Sequence, residues 1–234
     1  MIDKYLVAIG GGSLAEKTTA LIDGYVANLA KVRAGERRAV GVFIGTASHD
    51  SMPYFNTFRK TYTSDFNLKA DCVLSVYGEM NEEKIKSKFE KADLIYIGGG
   101  DTLFMLDLWR EKGIYDLVVD AYNRGVIIAG LSAGAICWFK KMYTDSQFIN
   151  GKDNYKYSIR DGIGILDGVC CPHYEERVFD FDGEFTSLDE ELAWGIEGNS
   201  CIVFKNGKYL ESLSAGGKSY KIVKNDGAIQ KILL

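Results

Sequence analysis

The stretch Val126-Ile-Ile-Ala-Gly130-Leu-Ser132-Ala-Gly134-Ala-Ile-Cys-Trp-Phe joins an apolar strand pattern to a helical pattern through G-x-S-x-G. In that context the motif predicts a sharp turn that pushes the serine out of the backbone. The flanking glycines permit the close approach of strand and helix, and the helix start supplies free N–H groups. The alternative is a glycine-rich turn whose serine only caps the helix. We favour Ser132 as a nucleophile because motif and context coincide.

Strand and helix patterns alternate around this turn through the first 140 residues. The strands are rich in Val and Ile without polar alternation, which indicates that both faces of the sheet are covered. The order predicts an α/β fold with a parallel sheet flanked by helices. The predicted strands are Tyr5–Ile9, Ala39–Ile44, Cys72–Val76, Leu94–Ile97 and Val126–Ala129. The predicted helices are Ala15–Lys31, Met52–Tyr62, Asn81–Lys91, Leu103–Arg110 and Tyr115–Asn123.

The chain changes character after about residue 150, where turn signals separate short β-prone runs. Asn206-Gly207 and Asn225-Asp226-Gly227 are hairpin signals, so the C-terminus is predicted to be antiparallel. The β-prone runs are Cys201–Phe204, Tyr209–Ser212 and Ser219–Val223. We predict one domain over residues 1–234, with a core of about 1–204 and a β-rich tail of about 205–234.

Composition excludes several classes of function. A net charge of -4 disfavours a nucleic-acid groove or an anionic membrane surface. No stretch approaches the roughly 18 apolar residues of a membrane span. Five cysteines, an odd number without a CxxC pair, predict a reduced cytoplasmic protein, and two histidines exclude a histidine-rich metal site.

A serine nucleophile needs a base, and only His49 and His173 can supply an imidazole. His173 follows a short β-prone run in Val169-Cys-Cys-Pro-His173, which predicts a position at a strand end. His49 also follows a strand, so both remain candidates, and we favour His173.

A carboxylate should orient that imidazole, and Glu197 in Trp194-Gly-Ile-Glu197-Gly198 lies between two β-prone runs. The alternative is a solvated glutamate in a turn. The order Ser132, His173, Glu197 differs from that of α/β-hydrolases, in which the histidine comes last. An ordinary α/β-hydrolase is therefore disfavoured.

A second glycine-rich segment, Gly98-Gly99-Gly100-Asp101-Thr102, also leads from a strand into a helix. Its amides, from Gly99 or Gly100, could complete an oxyanion hole with the amide of Ala133. The alternatives are a plain turn capped by Asp101 or Thr102, or a phosphate loop. The phosphate loop fails because no Lys-Ser/Thr follows.

Residues 175–191 carry eight acidic residues, with Arg177 as the single base. A calcium loop starting at Asp180 would need glycine where Phe185 stands, so that reading fails. A solvated acidic face is the favoured interpretation, with a lid near the site as the alternative.

Four motifs occur in a specific order: Gly98-Gly-Gly-Asp-Thr102, Gly130-Leu-Ser-Ala-Gly-Ala135, Pro172-His-Tyr174 and Glu197-Gly-Asn199. Together they resemble the peptidase E family, the S51 serine peptidases, which includes cyanophycinase. The resemblance extends from the first strand to about Phe204.

This resemblance implies a flavodoxin-like fold of the class I glutamine amidotransferase type with a β-rich C-terminal extension. It also implies a Ser132-His173-Glu197 triad and cofactor-free hydrolysis of small peptides in the cytoplasm. The best-known members of this family look like dipeptidases that cleave after an N-terminal aspartate. A pocket for that aspartate side chain needs a cation. Arg177 is the only basic residue between His173 and Glu197. Substrate contacts are expected from Asp101, Thr102, Tyr174 and Arg177.

Other readings remain open at this point. A cyanophycinase-like or other amide or ester hydrolase would use the same triad. A catalytically silent protein of this fold would bind a ligand instead, although the retention of all four motifs argues against it. The expected partner is a small peptide, with no nucleic acid and no membrane, and a homodimer is left open.

Overall fold

A computed structural model describes residues 2–78, 80–151, 154, 156–225 and 227–234. The helices are α1 Ala20–Ala34, α2 Met52–Lys60, α3 Glu82–Lys91, α4 Thr102–Glu111, α5 Ile114–Asn123, α6 Ala133–Ile136, α7 Ser146–Ile149 and α8 Tyr174–Thr186. The first strands are β1 Tyr5–Ile9, β2 Val40–Ile44, β3 Lys69–Val73, β4 Leu94–Ile97, β5 Ile127–Leu131, β6 Phe139–Thr144 and β7 Ser158–Asp161. The remaining strands are β8 Leu166–Pro172, β9 Leu192–Ile196, β10 Ser200–Lys205, β11 Lys208–Ser214, β12 Ser219–Asn225 and β13 Ala228–Leu233.

The first sheet has the strand order β11-β10-β1-β5-β4-β2-β3. Its five strands from β1 to β3 are parallel, as the sequence predicts, and β10 and β11 add an antiparallel edge. Leu6 and Ala8 of β1 face one buried core, whereas Val7 and Ile9 face another on the opposite side. Burial on both faces explains why these strands are continuously apolar. The α/β fold class is confirmed.

A second sheet, of order β13-β12-β9-β8-β6-β7, contains strands that the sequence patterns did not predict. Its central pair β8 and β9 is parallel, and β12 continues it antiparallel to β9. The hairpin of β12 and β13 is confirmed by the pairing of Asn225 with Ala228, while Asp226 of its turn signal lies outside the described residues. The predicted tail therefore contributes β11 to the first sheet and β12 and β13 to the second.

Two predicted elements are shifted for identifiable reasons. Helix α1 starts at Ala20 rather than Ala15 because the preceding residues form a turn, in which the Ser13 N–H donates to Thr18 Oγ1 at 2.9 Å. Strand β3 ends at Val73 rather than Val76 because the backbone turns toward Asp50. The N–H groups of Ser75 and Val76 both donate to its Oδ2 at 2.6 Å.

Helix α2 also ends early, at Lys60, where a π-helical turn from Thr61 to Asp65 replaces its predicted last turn. In the described part of the chain, no helix combines the length and the apolar character that crossing a bilayer requires.

Candidate active site

The backbone of Ser132 is strained, with φ +51° and ψ -108°, a region that side-chain-bearing residues rarely occupy. The turn is also tightly packed. A β-carbon on Gly130 would lie 1.9 Å from the carbonyl oxygen of Gly134, and one on Gly134 would lie 2.2 Å from that of Ile97. The two glycines therefore permit the approach of strand and helix that the G-x-S-x-G pattern predicts.

His173 lies at the end of β8 and approaches Ser132 from the second sheet. Its Nε2 is 3.0 Å from Ser132 Oγ, and its backbone N–H donates to the carbonyl oxygen of Gly10 at 3.1 Å. Gly11 lies against the imidazole, since a β-carbon there would be 2.5 Å from Cε1. This geometry suits a base that removes the serine proton.

His49 does not share this position. It is exposed, and its ring packs on Phe104 with 4.3 Å between the centroids. Within the described residues, His173 is thus the imidazole that contacts Ser132.

The surroundings of His173 favour its neutral form. Burial lowers the pKa of the imidazole below its ordinary value, and the charge of Arg177 lowers it further. Glu176, Glu175 and Asp145 oppose this shift with smaller effects. A neutral imidazole can accept a proton, so the histidine is ready to act as a base.

A pH prediction follows from this balance. Since protonation of His173 removes the base, kcat/KM should decline as the pH falls through its pKa, with a midpoint below 6.5. The Arg177→Gln variant removes a cation that opposes protonation, so we expect its midpoint to move to higher pH. The measurement is the pH profile of kcat/KM.

Two matched variants control that experiment. Arg177→Lys retains the charge and should keep the midpoint near that of the wild type. Arg110→Gln removes a charge from the exposed side of α4 and should leave the profile in place. An unshifted midpoint in Arg177→Gln would contradict the electrostatic link to His173.

Backbone amides near Ser132 differ in their availability for an oxyanion. Gly99 is close, since a β-carbon on it would lie 3.4 Å from Ser132 Cβ, and its backbone amide interacts with the Tyr54 hydroxyl. The amides of Gly100 and Ala133 make no hydrogen bond to any other described residue. The amides of Gly100 and Ala133 are therefore available as donors from the predicted set.

Glu197 follows β9, next to the strand that ends at His173, but its carboxylate turns toward β12. Oε2 accepts from the Lys218 N–H at 2.8 Å, and Oε1 accepts from the Tyr220 hydroxyl at 3.3 Å. No hydrogen bond joins Glu197 to His173 among the described residues. Its role as the third member of a triad stays a prediction.

Arg177 is almost completely buried at 6% exposure, on the first turns of α8. Its guanidinium lies over the Tyr157 ring and makes two long contacts of 3.5 Å, to the Tyr143 carbonyl oxygen and to Asp145 Oδ2. Its Nε has no hydrogen-bond partner among the described residues. A buried guanidinium with long contacts and an unpartnered Nε has donors left for an anionic group.

The other predicted substrate contacts have structural roles. Asp101 caps α4 by accepting from the Phe104 N–H at 3.1 Å, and Thr102 is buried with its N–H donating to Ser146 Oγ. Tyr174 is buried, and its hydroxyl donates to Asp182 Oδ1 at 2.8 Å. The cap on α4 agrees with the capped-turn interpretation of this segment.

Sequence reasoning missed three neighbours of the site: Gly11, Tyr54 and Glu175. Glu175 accepts from the Gly198 N–H at 2.9 and 3.0 Å, which ties α8 to the loop that follows Glu197. Gly11 belongs to a glycine run after β1 that resembles no complete motif. Its position after a strand next to β5 was the available signal.

An α/β fold that brings a strained serine to a histidine at the strand ends has the architecture of a serine hydrolase. The sequence model of peptidase family S51 matches residues 6–211. The chain therefore belongs to peptidase family S51, a family of serine-type peptidases, which confirms the predicted resemblance.

Similar proteins cover nearly the whole chain. The uncharacterized peptidase YgaJ of Bacillus subtilis (strain 168) is 29% identical over 240 residues, 99% of this chain and 97% of that protein. The structure of a peptidase from an acI-B1 actinobacterium has a TM-score of 0.69 at 16% identity, covering 98% of this chain and 93% of its own. A putative peptidase E from Listeria monocytogenes EGD-e has a TM-score of 0.63 at 19% identity, covering 91% and 100%. The two structures share this fold.

Proposed function

We propose that the chain hydrolyses short peptides through an acyl-enzyme, with Ser132 as the nucleophile and His173 as the base. The observation that carries this proposal is the 3.0 Å distance from Ser132 Oγ to His173 Nε2 at a strained turn. Membership of a peptidase family supports a peptide bond as the one cleaved.

Ser132 Oγ attacks the peptide carbonyl carbon while His173 Nε2 accepts the hydroxyl proton. The amides of Gly100 and Ala133 stabilise the negative charge on the carbonyl oxygen. Collapse of the intermediate breaks the C–N bond, and His173 returns the proton to the leaving amine. Water then hydrolyses the ester by the same steps, with Glu197 proposed to stabilise the imidazolium.

Arg177 supports the further proposal that this enzyme is a dipeptidase that prefers an N-terminal acidic residue, such as aspartate. The guanidinium is buried, close enough to lower the pKa of His173, and its Nε is unpartnered among the described residues. A substrate carboxylate could replace the long contacts with charge-assisted hydrogen bonds, which are shorter and stronger.

A panel of Asp-X, Glu-X and Ala-X dipeptides, with free and blocked amino termini, tests this specificity. We expect Asp-X to be preferred over Ala-X, and Arg177→Met to reduce that preference by about 10- to 100-fold, the effect of losing one charged hydrogen-bond partner. The measurement is the ratio of kcat/KM values.

Arg110→Met, on the exposed side of α4, is the matched control and should retain the wild-type ratio. Equal cleavage of Asp-X and Ala-X would overturn the acidic preference. If a serine-directed probe labels Ser132 but no peptide is cleaved, the substrate would be another amide or an ester instead of a peptide.

The five free thiols, all buried, support the proposed cytoplasmic location. The homodimer stays a prediction.

A further inference from the structure

A groove runs along the first sheet's outer helices, between the loop after β1 and helix α2. It consists of two cavities of about 280 and 350 Å³. Both are lined by Leu14, Ala15 and Thr57, so the cavities adjoin each other. The inner cavity adds Gly12, Ser13, Pro53 and Tyr54, and the outer one adds Lys17, Asn56, Lys60, Thr61 and Asp65.

The inner end of this groove lies near the catalytic pair, although neither Ser132 nor His173 lines it. The loop that lines it includes Gly11, which packs on the His173 ring. On its other wall, the Tyr54 ring packs on Gly98, where a β-carbon would lie 2.9 Å from Cε1. The next residue, Gly99, adjoins Ser132. One glycine thus separates the groove lining from each catalytic residue: Gly11 lies between Gly12 and His173, and Gly99 lies between Tyr54 and Ser132.

The Tyr54 hydroxyl has a free proton at this inner end. Its oxygen interacts with the backbone N–H of Gly99, and burial raises the pKa of the phenol to about 12, so the group stays protonated. Among the described residues, none accepts a hydrogen bond from this hydroxyl. It can donate to a carbonyl or carboxylate oxygen that enters the groove.

The outer end carries two cations. Lys17 Nζ is 2.8 Å from Asp65 Oδ2, whereas exposed Lys60 has no ion pair in the described part of the chain. Asp65 compensates the charge of Lys17, so Lys60 is the cation left to complement a free carboxylate.

The groove and Arg177 lie next to different sheets. Helices α1 and α2 pack on the core that includes Val7 and Ile9, whereas α8, which carries Arg177, packs on the second sheet. A peptide whose N-terminal side chain reaches Arg177 would extend across the strand ends toward the groove. His173, which protonates the leaving amine, adjoins the loop that forms its inner wall.

We infer that this groove binds the part of the peptide that follows the scissile bond, with Tyr54 donating to its first residue and Lys60 binding its C-terminal carboxylate. The inference rests on the proposed function and extends it to longer peptides. The lysines line only the outer cavity. If the leaving group is a single amino acid, it contacts only the inner cavity. If the leaving group is a longer peptide, it reaches the outer cavity with its lysines. We therefore expect the site to accept tri- and tetrapeptides in addition to the dipeptides of the proposed function.

The test compares Asp-Ala, Asp-Ala-Ala and Asp-Ala-Ala-Ala with the C-terminal amide of the longest peptide. We expect wild type to cleave the free acid faster than the amide. Lys60→Gln should reduce that ratio about two- to fivefold, the strength of an exposed ion pair. Lys91→Gln, an exposed lysine on α3, is the matched control and should retain the wild-type ratio.

Two further variants examine the groove itself. Ala15→Trp fills the boundary between the two cavities and should lower kcat/KM for the tetrapeptide relative to the dipeptide about tenfold, by excluding residues beyond the first. Val32→Trp, at a position 80% exposed on α1, is its control. Tyr54→Phe keeps the ring and should raise KM about two- to tenfold, the value of one hydrogen bond, with kcat less affected.

Two results together would overturn this inference while leaving the proposed function intact, provided that Asp-Ala is cleaved. These results are equal rates for the free acid and the amide, and an unchanged ratio of tetrapeptide to dipeptide kcat/KM in Ala15→Trp. If no peptide, Asp-Ala included, is cleaved in a Ser132-dependent way, the proposed function and this inference both fail.

Discussion

The Ser132→Ala variant is expected to lose on the order of 10⁶-fold in turnover of any peptide that the wild type cleaves. Alanine removes only Oγ, the atom that lies 3.0 Å from His173 Nε2, so no acyl-enzyme can form. The oxyanion amides and the substrate contacts remain, and substrate should therefore still bind. The measurement is kcat of purified protein, together with peptide affinity by calorimetry.

Ser64→Ala, at an exposed serine after α2, is the matched control and should retain wild-type turnover. In Ser132→Ala, alanine keeps the β-carbon and therefore the backbone strain at φ +51°. The melting temperature of Ser132→Ala should therefore stay close to that of the wild type. Equal activity in wild type and Ser132→Ala would show that another group, or a contaminating peptidase, performs the reaction.

The nucleophile turn was predictable because its requirements are local. The strand, the tight turn and the beginning of the helix all lie within 14 residues. Only glycine fits where a β-carbon would lie about 2 Å from a carbonyl oxygen. The five parallel strands were predictable for a similar reason, because burial on both faces leaves continuous apolar runs. The predicted end of β3 and the predicted start of α1 were wrong because the side chains of Asp50 and Thr18 accept hydrogen bonds from backbone N–H groups there. The pattern of apolar residues gives no sign of such hydrogen bonds.

The position of His173 depends on contacts between distant parts of the chain. Strand β8 carries it, and β8 pairs with β6 and β9 in a sheet whose apolar pattern is interrupted by charged residues such as Lys140 and Lys141. Sequence scarcity of histidine suggested the residue, but only the second sheet brings its ring to Ser132. The groove beside Tyr54 was equally inaccessible to sequence reasoning, since its walls come from separate loops and helices.

The direction of the Glu197 carboxylate is a further feature that no motif determines. The motif predicts its place at the end of β9, but the hydrogen bonds from Lys218 and Tyr220 set its orientation. Hydrogen bonds between catalytic groups are often long in the absence of substrate and tighten in the complex. Glu175 is one of three carboxylates that interact electrostatically with His173, and it is the one that also contacts the loop after Glu197.

Glu197→Gln is expected to lower kcat/KM about 10³- to 10⁴-fold, the effect of removing the carboxylate that orients a catalytic imidazole. Glutamine keeps an oxygen for the Lys218 N–H, so the loop should stay folded. Burial and the Glu197 carboxylate both raise the pKa of Tyr220, and a lower Tyr220 pKa in the variant would verify that the charge has been removed without wider change.

Glu175→Gln is the matched comparison, because it removes an equivalent charge near His173 and retains an acceptor for the Gly198 N–H. We expect a loss below about tenfold there, since this carboxylate is exposed and screened by solvent. Measuring kcat/KM for both variants decides between the two carboxylates. The reverse order of losses would assign the orientation of His173 to Glu175, and Glu197 would then serve only to join the loop after β9 to β12.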